Sequence, residues 1–249
     1  EAMASICQAT LDNKGDLGII FDTDVDRAAI VGSDGRPINK NALIALISSI
    51  ILEEHPQTTI VTDSVTSNGL AKFIKARGGI HHRFKRGYKN VINEAIRLNE
   101  EGKESHLAIE TSGHAAIKEN YFLDDGAYLI SKILVKAAQL YRESQDIGKL
   151  IGDLDEALED KEVRLKIEDK DFRAYANNII NSLSEKIKTI DGWTQVAENY
   201  EGIRVDCRDE KGWFLMRSSL HEPLLVINFE SNIKGGCDLI SEKLLALIK

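Results

Sequence analysis

Cysteine is scarce in this chain. Three occur in 249 residues, at Cys7, Cys207 and Cys237. Their odd number and wide spacing argue against a disulfide framework or a zinc site. They fit reduced thiols in a cytoplasmic setting, or in a plastid for a longer parent. Positive charge is also short: the formal net charge is −8, with no basic stripe and no interleaved aromatics. That argues against a nucleic-acid partner. Long apolar runs are absent. The longest, 42–52, is broken by Ser48 and Ser49 and is too short to span a bilayer. No signal or transit peptide is visible, so no membrane partner is expected. Internal repeats and low-complexity tracts are missing too. The chain opens inside a helical stretch without a Met, so we expect a fragment whose upstream part is missing.

What remains is an ordinary soluble composition, 43% hydrophobic and 29% charged, long enough for one large or two modest domains. Through the first 140 or so residues, strand and helix signals alternate. Strands are predicted at 17–21, 28–31, 58–62, 81–84 and 106–109. Helices are predicted at 41–54, 67–76, 89–99 and 125–143. Gly78 and Gly79 end the second of these helices. Such alternation implies α/β layers around a largely parallel sheet. Composition then shifts to charge and glycine near residue 146. Beyond it come a strand at 162–167, a helix at 172–187, three clustered strands near 203–206, 213–216 and 224–229, and a final helix. That is an α+β pattern.

The acidic run Asp22-Thr23-Asp24-Val25-Asp26-Arg27 follows the first predicted strand. Three carboxylates at alternate positions repel one another unless a cation lies between them. Mg²⁺ with oxygen ligands is the usual solution beside a phosphate. An EF-hand fails on detail. Counting from Asp22, Arg27 stands where Gly is needed and Ser33 where Glu is needed. A plain solvated turn is the alternative.

Three further stretches carry chemistry. Glu110-Thr111-Ser112-Gly113-His114 ends another predicted strand. Glu110, Ser112 and His114 offer donors and acceptors suited to sugar hydroxyls, and Gly113 allows close backbone approach; a helix cap or turn is the other reading. Arg217-Ser218-Ser219-Leu220-His221-Glu222-Pro223 lies between two strands. An Arg fork with adjacent hydroxyls makes an anion cradle, though a hairpin with an incidental Arg reads the same way. Lys85-Arg86-Gly87-Tyr88-Lys89 opens a helix, which is an anion site if it is not a solvated basic turn. A lysine there with a lowered pKa would also serve as general acid or base.

In this order, the four stretches resemble the α-D-phosphohexomutase superfamily, which includes phosphoglucomutase and phosphomannomutase. The family patterns are a D-G-D-G-D-R metal loop, a G-E-x-S-G-H sugar loop and an R-x-S-x-x-E-P phosphate loop. Here they read DTDVDR, ETSGH and RSSLHEP, and the segment around Gly87-Tyr88-Lys89 is similar to the family's G-W-K or G-H-S stretch. The resemblance implies that residues 1–36 end a second domain and carry the metal loop. Residues 37–145 would form a third, three-layer α/β domain with a mixed sheet and the sugar loop. A linker at 146–154 would lead to a smaller α+β fourth domain at 155–249 with the phosphate loop. It further implies Mg²⁺ on Asp22, Asp24 and Asp26, and Arg27 near the transferring phosphate. Glu110, Ser112 and His114 would lie at the sugar, and Arg217, Ser218 and Ser219 on the distal phosphate. Lys89 is the candidate proton shuttle. Expected ligands are hexose phosphates and a hexose bisphosphate. The family's phosphoserine moves phosphate between O1 and O6 of the sugar.

The departures are specific. Thr23 and Val25 replace glycines, which predicts backbone strain. Leu220 and His221 replace a G-T pair, with His221 as substitute donor. The family's T-A-S-H-N serine motif, which belongs to missing N-terminal domains, has no counterpart here. No mutase turnover by this chain alone is therefore expected. Two rivals remain. One is a haloacid-dehalogenase-type phosphatase with Asp22 as nucleophile, Asp24 as acid/base, and Lys118 with Asp124 and Asp125 in support. The other is a non-catalytic sugar-phosphate binding module.

Overall fold

The computed structural model describes residues 2–219 and 222–248. The chain forms two compact units, which meet in sequence between Asp155 and Glu156.

The first unit opens with helix α1 (Ala2–Asp12) and a small antiparallel sheet of β1 (Leu17–Phe21), β2 (Ala28–Gly32) and β3 (Pro37–Ile38). In the β1–β2 hairpin Phe21 pairs with Ala28, so residues 22–27 form its turn. Then follow α2 (Lys40–Glu54), β4 (Thr59–Asp63), α3 (Asn68–Ala76), β5 (Ile80–Phe84), α4 (Tyr88–Glu100), β6 (Ser105–Ile109), β7 (Ala115–Ile117) and α5 (Gly126–Arg142). The second sheet has the order β5-β4-β6-β7. β4 runs parallel to β5 and β6, and β7 runs antiparallel to β6. The sheet is therefore mixed.

Alternation along the strands builds three layers. Ile60, Leu107, Ile109 and Ile117 join the core formed with α2, α3 and α5. Val61, Ala108 and Ala116 face the other way, onto Val91, Ala95 and Leu98 of α4. Helix α2 has no solvent stripe over most of its length: Leu43, Ile44, Leu46, Ile47, Ile50 and Ile51 are all buried. Such a helix is a core element rather than a surface one. Ala28, Ile30 and Ile38 of the small sheet belong to the same core. The segment 146–154 folds as a short 3₁₀ helix, Ile147–Ile151, whose Ile147 is buried in that core too. Arg77 ties it down, donating to both carboxylate oxygens of Asp153 and to the Leu150 carbonyl.

Helix starts follow local chemistry. The Ser67 hydroxyl accepts from Leu70 N at 2.8 Å, and Asp125 accepts from Tyr128 N at 2.9 Å. These bonds satisfy donors that a helix terminus leaves open.

The second unit is an antiparallel sheet in the order β8-β12-β11-β10-β9. Its strands are β8 (Glu159–Lys166), β9 (Trp193–Gln195), β10 (Ile203–Cys207), β11 (Gly212–Ser218) and β12 (Leu224–Ser231). Helices α6 (Phe172–Ile187) and α7 (Gly236–Ile248) share one core with Val205, Phe214, Met216 and Ile227.

Candidate functional site

Parallel strands end together, and β4 and β6 both finish at the same edge of the first unit's sheet. Loops beyond the carboxyl ends of parallel strands are where α/β proteins bind ligands. Three of the four stretches singled out in the sequence converge there.

The acidic turn is the first. Asp22 N donates to Arg27 O, and Arg27 Nε donates to Asp22 Oδ2 at 2.6 Å. Oxygens of Asp22, Asp24 and Asp26 all lie within 4.8 Å of one another. Val25 sits at φ +64°, in the left-handed region that a β-branched residue avoids. Strain expected where glycine is missing is thus found at Val25. Thr23 is free of it, being absent from the positive-φ positions. Gly126, opening α5, holds the turn: its N–H donates to Val25 O at 3.1 Å. A Cβ on Gly126 would lie 2.9 Å from that oxygen, so nothing larger fits.

The second is the loop after β6. Arg27 and His114 form an antiparallel bridge that sews this loop to the acidic turn. Gly113 permits it at φ +102°, where an added Cβ would meet the Ala28 carbonyl at 3.2 Å. His114 Nδ1 lies 2.7 Å from Asp124 Oδ2 and 3.5 Å from Asp26 Oδ2. With Nδ1–H donated to Asp124, Nε2 is left as the ring's acceptor. The ring stacks on Tyr88, centroids 5.0 Å apart.

The third is the start of α4. Glu110 is buried, and its Oε1 accepts from Gly87 N at 2.6 Å while Oε2 accepts from Ser112 Oγ at 3.3 Å. Gly87 takes φ +115°. Lys89 lies just inside the helix, its Nζ 5.7 Å from the Tyr88 ring centroid. Glu110, Ser112, His114, Tyr88 and Lys89 are therefore neighbours through short links.

Electrostatics separate the carboxylates. At Asp22, desolvation pushes the group up, but hydrogen bonds and charge from Arg27 more than reverse it, leaving it below its usual range. Asp26 moves up through burial, relieved by His114 and reinforced by Asp24 and Asp22. Asp124 moves up through burial, opposed by His114. Asp26 Oδ1 is buried and makes no hydrogen bond. Arg27 Nε lies 3.8 Å from it, too far for a hydrogen bond. A carboxylate oxygen without a hydrogen bond within a cluster of carboxylates is what a hard divalent cation satisfies. The residues present fit Mg²⁺.

In the second unit, Arg217 lies near the end of β11, buried and paired in register with Val226. The following turn is closed by Ser219 N donating to Leu224 O at 2.9 Å, and Glu222 N donates to Ser219 Oγ at 3.3 Å. Ser218 Oγ donates to the Ser219 carbonyl. Arg217 shares the helix-free sheet face with Arg204, which stacks over the Trp213 ring at 3.6 Å. His221, expected to assist here, lies outside the described residues, as does Leu220.

Sequence reasoning missed Asp63 and Gly126, gave Tyr88 no role of its own, and saw Asp124 only as part of the phosphatase rival. A carboxylate closing an apolar strand, as in Thr59-Ile60-Val61-Thr62-Asp63, was the available signal for the first.

Residues 39–156 match the family described as "Phosphoglucomutase/phosphomannomutase, alpha/beta/alpha domain III". Along nearly its whole length the chain is similar to proteins named phosphoglucomutase and phosphomannomutase. It is 26% identical over 250 residues to a phosphoglucomutase of Neisseria gonorrhoeae, covering 100% of this chain and 51% of that protein. It is 29% identical over 227 residues to a phosphomannomutase/phosphoglucomutase of Pseudomonas aeruginosa, covering 90% and 45%. Among solved structures, a phosphoglucomutase/phosphomannomutase family protein from Burkholderia thailandensis superposes with TM-score 0.81 at 25% identity, over 100% of this chain and 49% of that one. An Aspergillus fumigatus N-acetylphosphoglucosamine mutase, solved in complex with GlcNAc-6P and magnesium, shares the fold at TM-score 0.59 and 12% identity, over 92% and 48%. The chain spans about half the length of the curated relatives it matches.

Proposed function

We propose that this chain is the metal-, sugar- and phosphate-binding part of a phosphohexomutase that interconverts hexose 1-phosphates and hexose 6-phosphates through a phosphoserine and a hexose bisphosphate. The observation that carries this reading is the bridge between Arg27 and His114. It joins a metal-type acidic turn to a sugar-type loop at one sheet edge.

In this reading Asp22, Asp24 and Asp26 hold Mg²⁺, whose chemistry when bound is to neutralise charge on the transferring phosphoryl group. Arg27 turns from Asp22 toward that phosphate. Glu110, already braced by Gly87 N and Ser112 Oγ, keeps lone pairs for two sugar hydroxyls. His114, oriented by Asp124, lies beside the sugar hydroxyls with Nε2 as an acceptor. Lys89, at the helix start, is the candidate proton shuttle. Arg217, Ser218 and Ser219 grip the distal phosphate. The described residues supply positioning and charge, which is most of what phosphoryl transfer asks of a protein. The sequence holds no T-A-S-H-N serine motif, so turnover by these 249 residues alone is not expected.

The phosphatase alternative is disfavoured by one placement. Lys118 follows Ile117, which pairs with Leu107, and its charge acts on His106 near the opposite end of β6. It is thus remote from Asp22. The test is calorimetric titration with glucose 1,6-bisphosphate in Mg²⁺. We expect binding that Glu110→Ala and Arg217→Ala each weaken about tenfold, the value of one charged hydrogen bond. No binding, or a beryllium fluoride adduct at Asp22, overturns the reading.

A further inference from the structure

At the end of β4 lies a carboxylate that the proposed chemistry does not use. Asp63 is completely buried. Its Oδ2 accepts from Thr111 Oγ1 at 2.7 Å, and its Oδ1 faces Thr111 N at 3.3 Å. One residue of the sugar loop is therefore held twice by a single side chain of the neighbouring strand. Thr111 stands between Glu110 and Ser112, the two residues assigned to sugar hydroxyls. Burying an ionised carboxylate is costly unless it is hydrogen-bonded, so a purely structural strand end would favour an apolar or amide side chain.

Building on the sugar-phosphate reading above, we infer that Asp63 is a positioning residue for the sugar loop. In its ionised form it clamps Thr111 and thereby sets the directions of Glu110 and Ser112; protonated, it offers a weaker clamp and a looser loop.

The electrostatics around it agree. Burial pushes the Asp63 carboxyl up to about 6, helped by the nearby Glu110 carboxylate and opposed by Thr111 and Arg86. The charged groups acting on it are Glu110 from the β6 loop and Arg86 from the segment before α4. The clamp therefore switches in the mildly acidic range rather than near pH 4. On protonation, one of the two acceptor oxygens becomes a hydroxyl, and both bonds to Thr111 lose the charge assistance of the carboxylate.

The experiment compares wild type with Asp63→Asn and Thr111→Val, titrating each with glucose 1,6-bisphosphate at pH 7.5 and pH 5. Ligand phosphates titrate in all three proteins, so the ratio of affinities isolates the clamp. We expect both variants to bind about tenfold more weakly at pH 7.5, and the ratio to approach one at pH 5. Thr111→Val carries the test if Asp63→Asn does not fold. Wild-type affinity in both variants, or a ratio that ignores pH, overturns the assignment. The Thr111 amide resonance of the ligand-free protein is followed in parallel. It should titrate with a midpoint near 6 in wild type and not in Asp63→Asn; an amide that does not titrate also overturns the clamp. If wild type binds no bisphosphate while that amide titrates, the sugar-phosphate reading falls and the clamp on the loop stands.

Discussion

Arg27 closes the acidic turn on itself, its guanidinium Nε 2.6 Å from Asp22 Oδ2. The same turn holds the unbonded Asp26 Oδ1. Under the proposed reading, an arginine and a divalent cation would compete for one carboxylate.

The consequence is measurable with the metal alone. Wild type should bind Mg²⁺ weakly, with Kd on the order of millimolar. Arg27→Gln removes that competing ion pair, so its Mg²⁺ affinity should rise several-fold. Calorimetry distinguishes this from tight, stoichiometric binding by the unmodified chain, which would show that Arg27 does not compete.

Val25 offers a stability test. Its φ of +64° costs a β-branched residue about 1–2 kcal/mol, whereas Asn tolerates that region. Val25→Asn should therefore stabilise the first unit by about 1 kcal/mol, read as a raised urea midpoint at unchanged slope. A lower midpoint would mean that the Val25 side chain contributes more through packing than it costs in strain.

Gly126→Ala sets two effects against each other. Within a helix, alanine is favoured over glycine by about 1 kcal/mol. At this position the new methyl would lie 2.9 Å from Val25 O and 3.0 Å from Arg27 C, both backbone atoms. Overpacking against backbone costs more than the propensity gain, so we expect a net loss of about 1–2 kcal/mol and weakened Mg²⁺ binding. Equal or greater stability in the alanine variant would contradict the tight contact.

Asp63 links stability to pH with a definite sign. Its folded-state value, about 6, lies above the 3.8 of a free aspartate. The native state therefore holds its proton more firmly than the unfolded chain, and the cost of ionising it is fully present above pH 6. Stability from this group rises as pH falls from 6 towards 4, by at most about 3 kcal/mol. Asp63→Asn should lack that component. Urea unfolding of both proteins across this range checks it; parallel pH profiles would contradict the burial argument.

Most of the architecture was legible because strong periodicity met clear punctuation. Ser67, Asp125 and Asp171 cap the helices that follow them, and each N-cap is visible in the sequence. Short pieces were less legible. β7 is three residues long and reads as the tail of the ETSGH loop, yet it makes the sheet mixed. Strand β3 spans two residues and β9 three. At the site, motif residues could be named, but the links between them could not. Nothing local in Asp63, Asp124 or Gly126 announces a partner 48, 10 or about 100 residues away in the chain. Such pairings come from the parallel order of strands, which only the assembled sheet defines.

The buried state of α2 has one more consequence. Its side chains share one core with Ala28, Ile30 and Ile38 of the small sheet and with Ile60, Leu107 and Ile109 of the larger one. Opening either sheet loosens the core that holds Ile44, Ile47 and Ile51. The acidic turn and the sugar loop are thus bound into a single cooperative exchange unit, although residues 1–36 read as a separate domain end. Amide protons of β2 and β6 should be released to deuterium together, and a chain trimmed to begin at residue 37 should expose a greasy helix and lose its solubility.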